Sequence, residues 1–295
     1  LTTDVKSNIR SLGPGDTYRK SELEELEKQI QDSDRYVGVE YQLAEDCMRA
    51  ALLSRGMGQS RTEVDGRFDR AERIADKVGY RQQRMRIAYM RTWTMFFWFD
   101  DFDELNKGYD RVEQLALGSE ETEDIEKLVN LWMVLATTVK LGQLDVDQAG
   151  LYGRKSRLEA ELDRLTADRL RPNNALLART HKLLLRLHES LNSETQINSI
   201  VDELTQIVDG NQDNIEYPLD FLLQVIQELG ELIPDNSKLD QFIESVIAVT
   251  GRRTGMAAAG CLFMERGYQK LGKGMKYDAI RLFGRAQEDL TMHEY

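Results

Sequence analysis

The side chains best suited to chemistry are few and poorly spaced for it. His181 and His188 fall seven apart, near one face of one predicted helix. Two turns at 1.5 Å per residue part them by about 10 Å, too far to share a metal. His293 is the only other histidine, so a histidine-based zinc or catalytic site is not expected. Cys47 and Cys261 lie far apart, each inside a helical pattern with no histidine nearby, and both read as buried structural thiols of a reducing compartment. Asp209, Asn211, Asp213 and Asp220 have first, third, fifth and twelfth spacing, as oxygen ligands of a calcium loop would. Asn214 stands where the turn glycine belongs, Glu216 replaces the apolar eighth residue and Pro218 intrudes, so an ordinary interhelical turn is expected. There is no G-x-x-x-x-G-K-[ST] loop for a nucleotide and no G-x-S-x-G elbow for a nucleophile. Carboxylates abound without placed partners, so no acid–base pair can be nominated. No enzyme, cofactor or metal is expected.

The run Thr92–Phe99, TWTMFFWF, is the most unusual stretch, with six large apolar side chains in seven consecutive residues. They cannot share one core stripe of a helix. Two readings stand: a thick core covered from both sides, or an exposed aromatic anchor for a partner. The acidic turn Asp100-Asp101-Phe102-Asp103-Glu104 follows, as the start of the next helix or as a rim selecting basic partners. Arg81, Arg84, Arg86 and Arg91 ride one helix; Arg154, Lys155, Arg157, Arg164, Arg169 and Arg171 decorate another, where intervening acids suggest a solvated, paired face, with a local phosphate-contacting stripe as the other reading.

The elements that must hold these residues are helices. Apolar residues recur at spacings of three and four, and period-two alternation is missing. The pattern predicts helices over Tyr18–Ser33, Tyr36–Arg55, Thr62–Val78, Arg81–Phe99, Phe102–Leu117, Thr122–Leu141 and Val146–Leu170. It continues with Asn174–Leu191, Glu194–Val208, Tyr217–Leu232, Ser237–Thr250, Thr254–Leu271 and Lys276–Met292. Ser193 and Ser119 offer N-caps; Gly79, Gly142, Gly210 and Gly272 offer C-terminal caps; Pro172 and Pro234 fall beyond helix ends. Short connections make neighbours antiparallel.

Composition closes other classes. The chain has 295 residues with a net charge of −12, four prolines and two cysteines. That excludes a disulfide scaffold and argues against sequence-independent binding of nucleic acid or an anionic membrane. No apolar run reaches about 18 residues, as a membrane span would need. A cytoplasmic location is expected.

The helices pair and the pairs repeat. Tyr268, Leu271-Gly272, Tyr277, Ala279, Phe283 and Ala286 make the clearest unit. Phe96, Phe102, Leu105, Tyr109 and Val112 fill equivalent slots in a second, and Phe68 with Ala71 in a third. Small residues let two helices approach and the aromatic fills the wedge between them. On these residues the chain resembles tetratricopeptide-like repeats, of the kind attached to multidomain signalling ATPases of bacteria; HEAT-type repeats are the rival. First helices start near Ala44, Arg86, Leu128, Asn174, Ile215 and Ala258, a period of about 42 residues against the family's roughly 34.

The resemblance implies an all-α, right-handed superhelix of antiparallel pairs with a concave groove. Leu1–Gly15 reads as a loose leader and 16–295 as one array, a piece of a larger protein. The family's groove positions carry over to Met90, Thr94, Phe97 and Trp98, to Trp132, Ala136 and Lys140, and to Leu262, Arg266, Gln269 and Lys270. The expected function is regulatory binding of a protein or peptide in that groove, with an apolar anchor rather than capture of a terminal carboxylate. Self-association through the last repeat is the alternative, and an enzyme domain with an unrecognised site a third.

Overall fold

The computed structural model describes residues 14–233 and 235–291. Among them every regular element is helical and there is no strand. The chain divides into two compact units that meet between Glu161 and Leu162, inside one helix.

The first unit holds α1 (Pro14–Gln31), a 3-10 turn (Ser33–Tyr36), α2 (Glu40–Gly56), α3 (Arg61–Val78), α4 (Arg81–Phe99), α5 (Phe102–Ala116), α6 (Thr122–Lys140), the single turn α7 (Val146–Ala149) and the start of α8 (Leu151–Thr166). The second holds the rest of α8, then α9 (Pro172–Glu189), α10 (Glu194–Gly210), α11 (Leu219–Leu232), α12 (Ser237–Thr254), α13 (Met256–Gly272) and α14 (Lys276–Thr291).

Helix starts are set by local chemistry. Ser60 and Glu63 form a reciprocal capping box at α3. Asp101 accepts from the Glu104 amide at 3.0 Å and Asn236 from the Leu239 amide at 2.8 Å, opening α5 and α12. The apolar spacing then decides what is buried. In α3, Val64, Phe68, Ala71 and Ala75 follow one another by four, three and four and have no exposure. They pack with Leu23, Leu26 and Ile30 of α1, Ala44, Cys47 and Ala51 of α2, and Ile87 and Met95 of α4. Sequence neighbours make the closest pairs, α2 with α3, α4 with α5 and α13 with α14.

Helices two apart in sequence are joined by polar links. Gln83 Nε2 donates to the Tyr41 carbonyl at 2.8 Å, Arg67 Nε to Glu27 at 2.6 Å and Arg81 to Asp124 at 2.7 Å. In the second unit Asn236 donates to Asn198 at 3.0 Å and Arg281 to Glu244 at 2.7 Å. Those partners are 42, 40, 43, 38 and 37 positions apart.

Several expectations change. Residues 1–13, Pro234, Met292 and His293 lie outside the described residues, but Pro14 and Gly15 belong to α1 rather than to a leader. The segment from Tyr36 to Val39 precedes α2, with the Tyr36 hydroxyl tied to Asp46 at 2.7 Å. The long helix expected over Val146–Leu170 is broken. Gly150 adopts φ 56, and Arg154 fills the gap by donating to the Ala149 carbonyl at 2.8 Å. Arg154 is therefore no solvated surface residue: it is buried, with Asp110 at 2.6 Å and its guanidinium 4.5 Å from the Tyr109 ring centroid. Of the four cap glycines only Gly142 is left-handed, at φ 71. Gly79 is extended, and Gly210 and Gly272 are the last helical residues. The Ser193 side chain makes no cap bond; Ser119 instead donates to Asp124 at 2.6 Å.

Close approach does require glycine at 108. A Cβ there would sit 2.6 Å from Thr92 Cγ2 and 2.7 Å from Thr92 Cβ, across the α4–α5 contact. Gly108→Ala is expected to cost about 1–3 kcal/mol in urea unfolding. Thr92→Ala in the same chain should recover part of that loss, and a neutral Gly108→Ala would show that the two helices pack more loosely than this.

Candidate functional site

Helix α4 has more large side chains than its neighbours cover. Its inward face carries Met85, Ile87, Ala88, Thr92 and Met95, all buried. On another face Gln82, Arg86, Tyr89, Trp93 and Phe97 follow one another by four, three, four and four, and so lie in one stripe. Tyr89 and Trp93 are half-buried and stack with ring centroids 5.9 Å apart. Trp93 to Phe97 is 5.0 Å, Phe96 meets Phe97 edge-on at 5.3 Å, and Phe102 continues the ladder 6.1 Å from Phe96. Phe97 remains 57% exposed and Trp98 47%. Burial raises the Tyr89 pKa despite the hydrogen bond to the Asn130 side chain of α6.

The polar end of the stripe opens into a cleft of about 430 Å³ between the N-terminal parts of α2, α4 and α6. Exposed Tyr41 and Tyr80 flank it, Gln82, Gln83 and Arg86 come from α4, and Glu123 and Lys127 from α6. Arg86 is ion-paired with Glu45. At the other end of α2, Arg55 lays its guanidinium 3.9 Å from the Trp98 ring centroid and donates to Thr94 Oγ1 at 3.1 Å.

The sequence-derived groove residues divide accordingly. Phe97, Trp98 and Lys140 are exposed. Met90 is half-buried against the core, and Thr94 is buried under Arg55. Trp132 is buried, with its indole N–H 3.4 Å from the Leu151 carbonyl, and Ala136 is half-buried. Arg266 and Lys270 are buried and bind Asp240 of α12 at 2.6 and 2.5 Å, while Gln269 accepts from Arg266 at 2.9 Å and Leu262 is half-buried. These two cations clamp α13 to α12 and present no charge to a partner. The residues that sequence reasoning missed are Tyr89, Tyr41, Tyr80 and Arg55; Trp93 was singled out with the aromatic run but not among the groove positions. The signal for Tyr89 and Trp93 was the spacing of 82, 86, 89, 93 and 97; reading the phase of α4 one position further selected the seam with α2 instead.

The other candidate chemistry resolves into structure. His181 is buried with its ring 5.3 Å from Phe221. Cys47 is buried, and burial pushes its thiol up to about 11, but Cys261 is exposed on the outer face of α13, against expectation. Asp101 caps α5 and pairs with Arg61, and Glu104 pairs with Arg111, so the acidic turn builds a helix start. Among the described residues no group of three metal-ligating side chains converges, and no helix is long and apolar enough to cross a membrane.

The calcium-like segment is closed by a side chain. Arg253 donates to the backbone carbonyls of Asn211 at 2.5 Å, Gln212 at 2.9 Å and Tyr217 at 2.9 Å. The guanidinium thus puts a fixed positive charge against the backbone of this turn, where a cation would be repelled; the Asp220 side chain lies outside the described residues. Arg253→Ala is expected to lower stability by about 2 kcal/mol and to speed amide exchange over 211–217, while about 1 mM calcium leaves the melting temperature of the native chain unchanged. A calcium-dependent rise in melting temperature would contradict this assignment. Comparison with known proteins gives no relative: no protein-family model, no curated protein and no solved structure matches the chain.

Proposed function

We propose that the helix pairs are tetratricopeptide-like repeats of about 42 residues, coiled right-handed, and that they bind an extended segment of another protein along α4. The observation that carries this reading is the stripe Gln82, Arg86, Tyr89, Trp93 and Phe97, polar at one end and aromatic at the other. The fifteen residue steps from Gln82 to Phe97 span about 22 Å, the reach of six or seven extended residues. Aromatic side chains with few rotatable bonds are the usual anchors of such contacts. The polar links between helices two apart support the repeat, because they recur at separations near its length. By the same resemblance the chain is a regulatory, non-catalytic part of a larger cytoplasmic protein.

Displayed heptapeptides selected on the chain are expected to converge on apolar or aromatic residues. Trp93→Ala and Phe97→Ala should each weaken a selected peptide about tenfold or more, with urea unfolding of Phe97→Ala unchanged. Undiminished binding by both variants would remove α4 as the site.

One observation favours self-association as a second reading. Met264, Tyr268 and Leu271 of α13 and Tyr277 and Ile280 of α14 are all exposed on the last helix pair. Sedimentation velocity over a hundredfold concentration range decides it: a rising mass that Tyr268→Glu abolishes supports the reading, and a constant monomer mass ends it.

A further inference from the structure

Arg55 is an exception among the arginines around α4. Arg61 pairs with Asp101, Arg67 with Glu27, Arg86 with Glu45, and Arg91 with Asp65, Asp69 and Glu72. Arg55 has no carboxylate partner among the described residues. Its one hydrogen bond goes to the neutral Thr94 hydroxyl, and its Nε is buried with no acceptor. A guanidinium carries five N–H donors, so most of this fork is unfilled. Burial lowers the Arg55 pKa, and no neighbouring carboxylate offsets it. Beside the Thr94 hydroxyl, the Trp98 face and the last carbonyls of α2 offset its charge among the described residues. Thr94 and Trp98 hold the group in place from α4 and leave it half-buried; Phe97, next to Trp98 in the chain, is exposed.

We propose that Arg55, fixed on Trp98, receives a carboxylate of the bound segment, and that an apolar side chain next to that carboxylate rests on Phe97. This rests on the binding role proposed above and adds the chemistry of the partner. The carboxylate is an Asp or Glu side chain or a chain terminus. Planar, delocalised guanidinium on an aromatic face keeps its donor edge free for such a group, which a lysine in its place would not match.

The test is a heptapeptide array carrying Leu-Glu, Leu-Asp, Leu-Gln or Leu-Asn at each position, every member made with a free and with an amidated C-terminus. Members that carry the recognised carboxylate, as a side chain or as a free C-terminus, are expected to bind the native chain about tenfold better than otherwise identical members that lack it. Arg55→Met should erase that difference and leave the binding of the Gln and Asn members in place. A preference that follows only the free C-terminus identifies a terminal carboxylate, and one that survives amidation identifies a side chain. Should Arg55→Met fail to fold by circular dichroism, Arg55→Lys carries the test: the acidic preference must fall severalfold. Binding that depends neither on a side-chain carboxylate nor on a free C-terminus, or a preference unchanged in the Arg55 variants, overturns the inference while leaving α4 as an apolar binding site. An array on which nothing binds overturns the inference and the binding role together.

Discussion

Burial on α4 is limited by geometry: a helix can turn only part of its circumference toward the elements packed on it, and this one carries large apolar groups almost all the way round. Ile87 and Met95 enter the core shared with α1, α2 and α3, and Met85 is buried under the cleft between α2 and α6. The rings left over are arranged against one another. Tyr89, Trp93, Phe97, Phe96 and Phe102 meet at centroid distances of 5.0 to 6.5 Å, which hides part of each ring from water where neighbouring helices do not cover it. Offset and edge-on contacts of this kind add to the area they bury, so the ladder is a partly self-satisfied surface. It still leaves Phe97 and Trp98 in solvent.

Charge holds the frame around that helix. Arg91 lies mostly buried between α3 and α4, and burial alone would lower its pKa; Glu72, Asp65 and Asp69 outweigh burial and raise it. Glu72 feels the opposite balance, with desolvation raising its pKa against Arg91 and Arg111. Such a network contributes little net stability but punishes any rearrangement that strips one charge of its partners. The same logic applies to Arg266 and Lys270 on Asp240 and to Arg154 among Asn106, Asp110 and the Ala149 carbonyl. Long basic side chains reach across helix seams here and fix which faces meet. A net charge of −12 is thus compatible with having few cations to spare at the surface.

Much of the helix framework was legible in the chain. The bounds Arg81–Phe99 match α4 residue for residue, and the three-and-four spacing finds the buried faces of α3 and α5. Rotational phase was harder to read. Adjacent residues on a helix differ by about 100°, so choosing Met90 and Thr94 over Tyr89 and Trp93 turned the stripe from the surface into a seam. Arg266 and Lys270 misled for another reason: a basic residue on a helix looks like groove chemistry until its acceptor, Asp240 on the preceding helix, is located. Arg55 gave no signal at all. Its significance is the lack of a carboxylate nearby, and proximity across 39 positions is a property of the fold. The break at Gly150 went unseen because apolar periodicity runs through it; only the left-handed glycine and the reach of Arg154 reveal it.

The turn between α10 and α11 has a consequence for how the second unit responds to its surroundings. Where a dissolved ion would come and go with its concentration, Arg253 is a permanent cation delivered by α12 at fixed stoichiometry. A chelator cannot remove it and a rival ion cannot compete on equal terms. Three carbonyls between 211 and 217 are thereby tied to α12, and Ile215 between them is exposed to solvent. A geometry that elsewhere serves responsiveness is spent here on constancy.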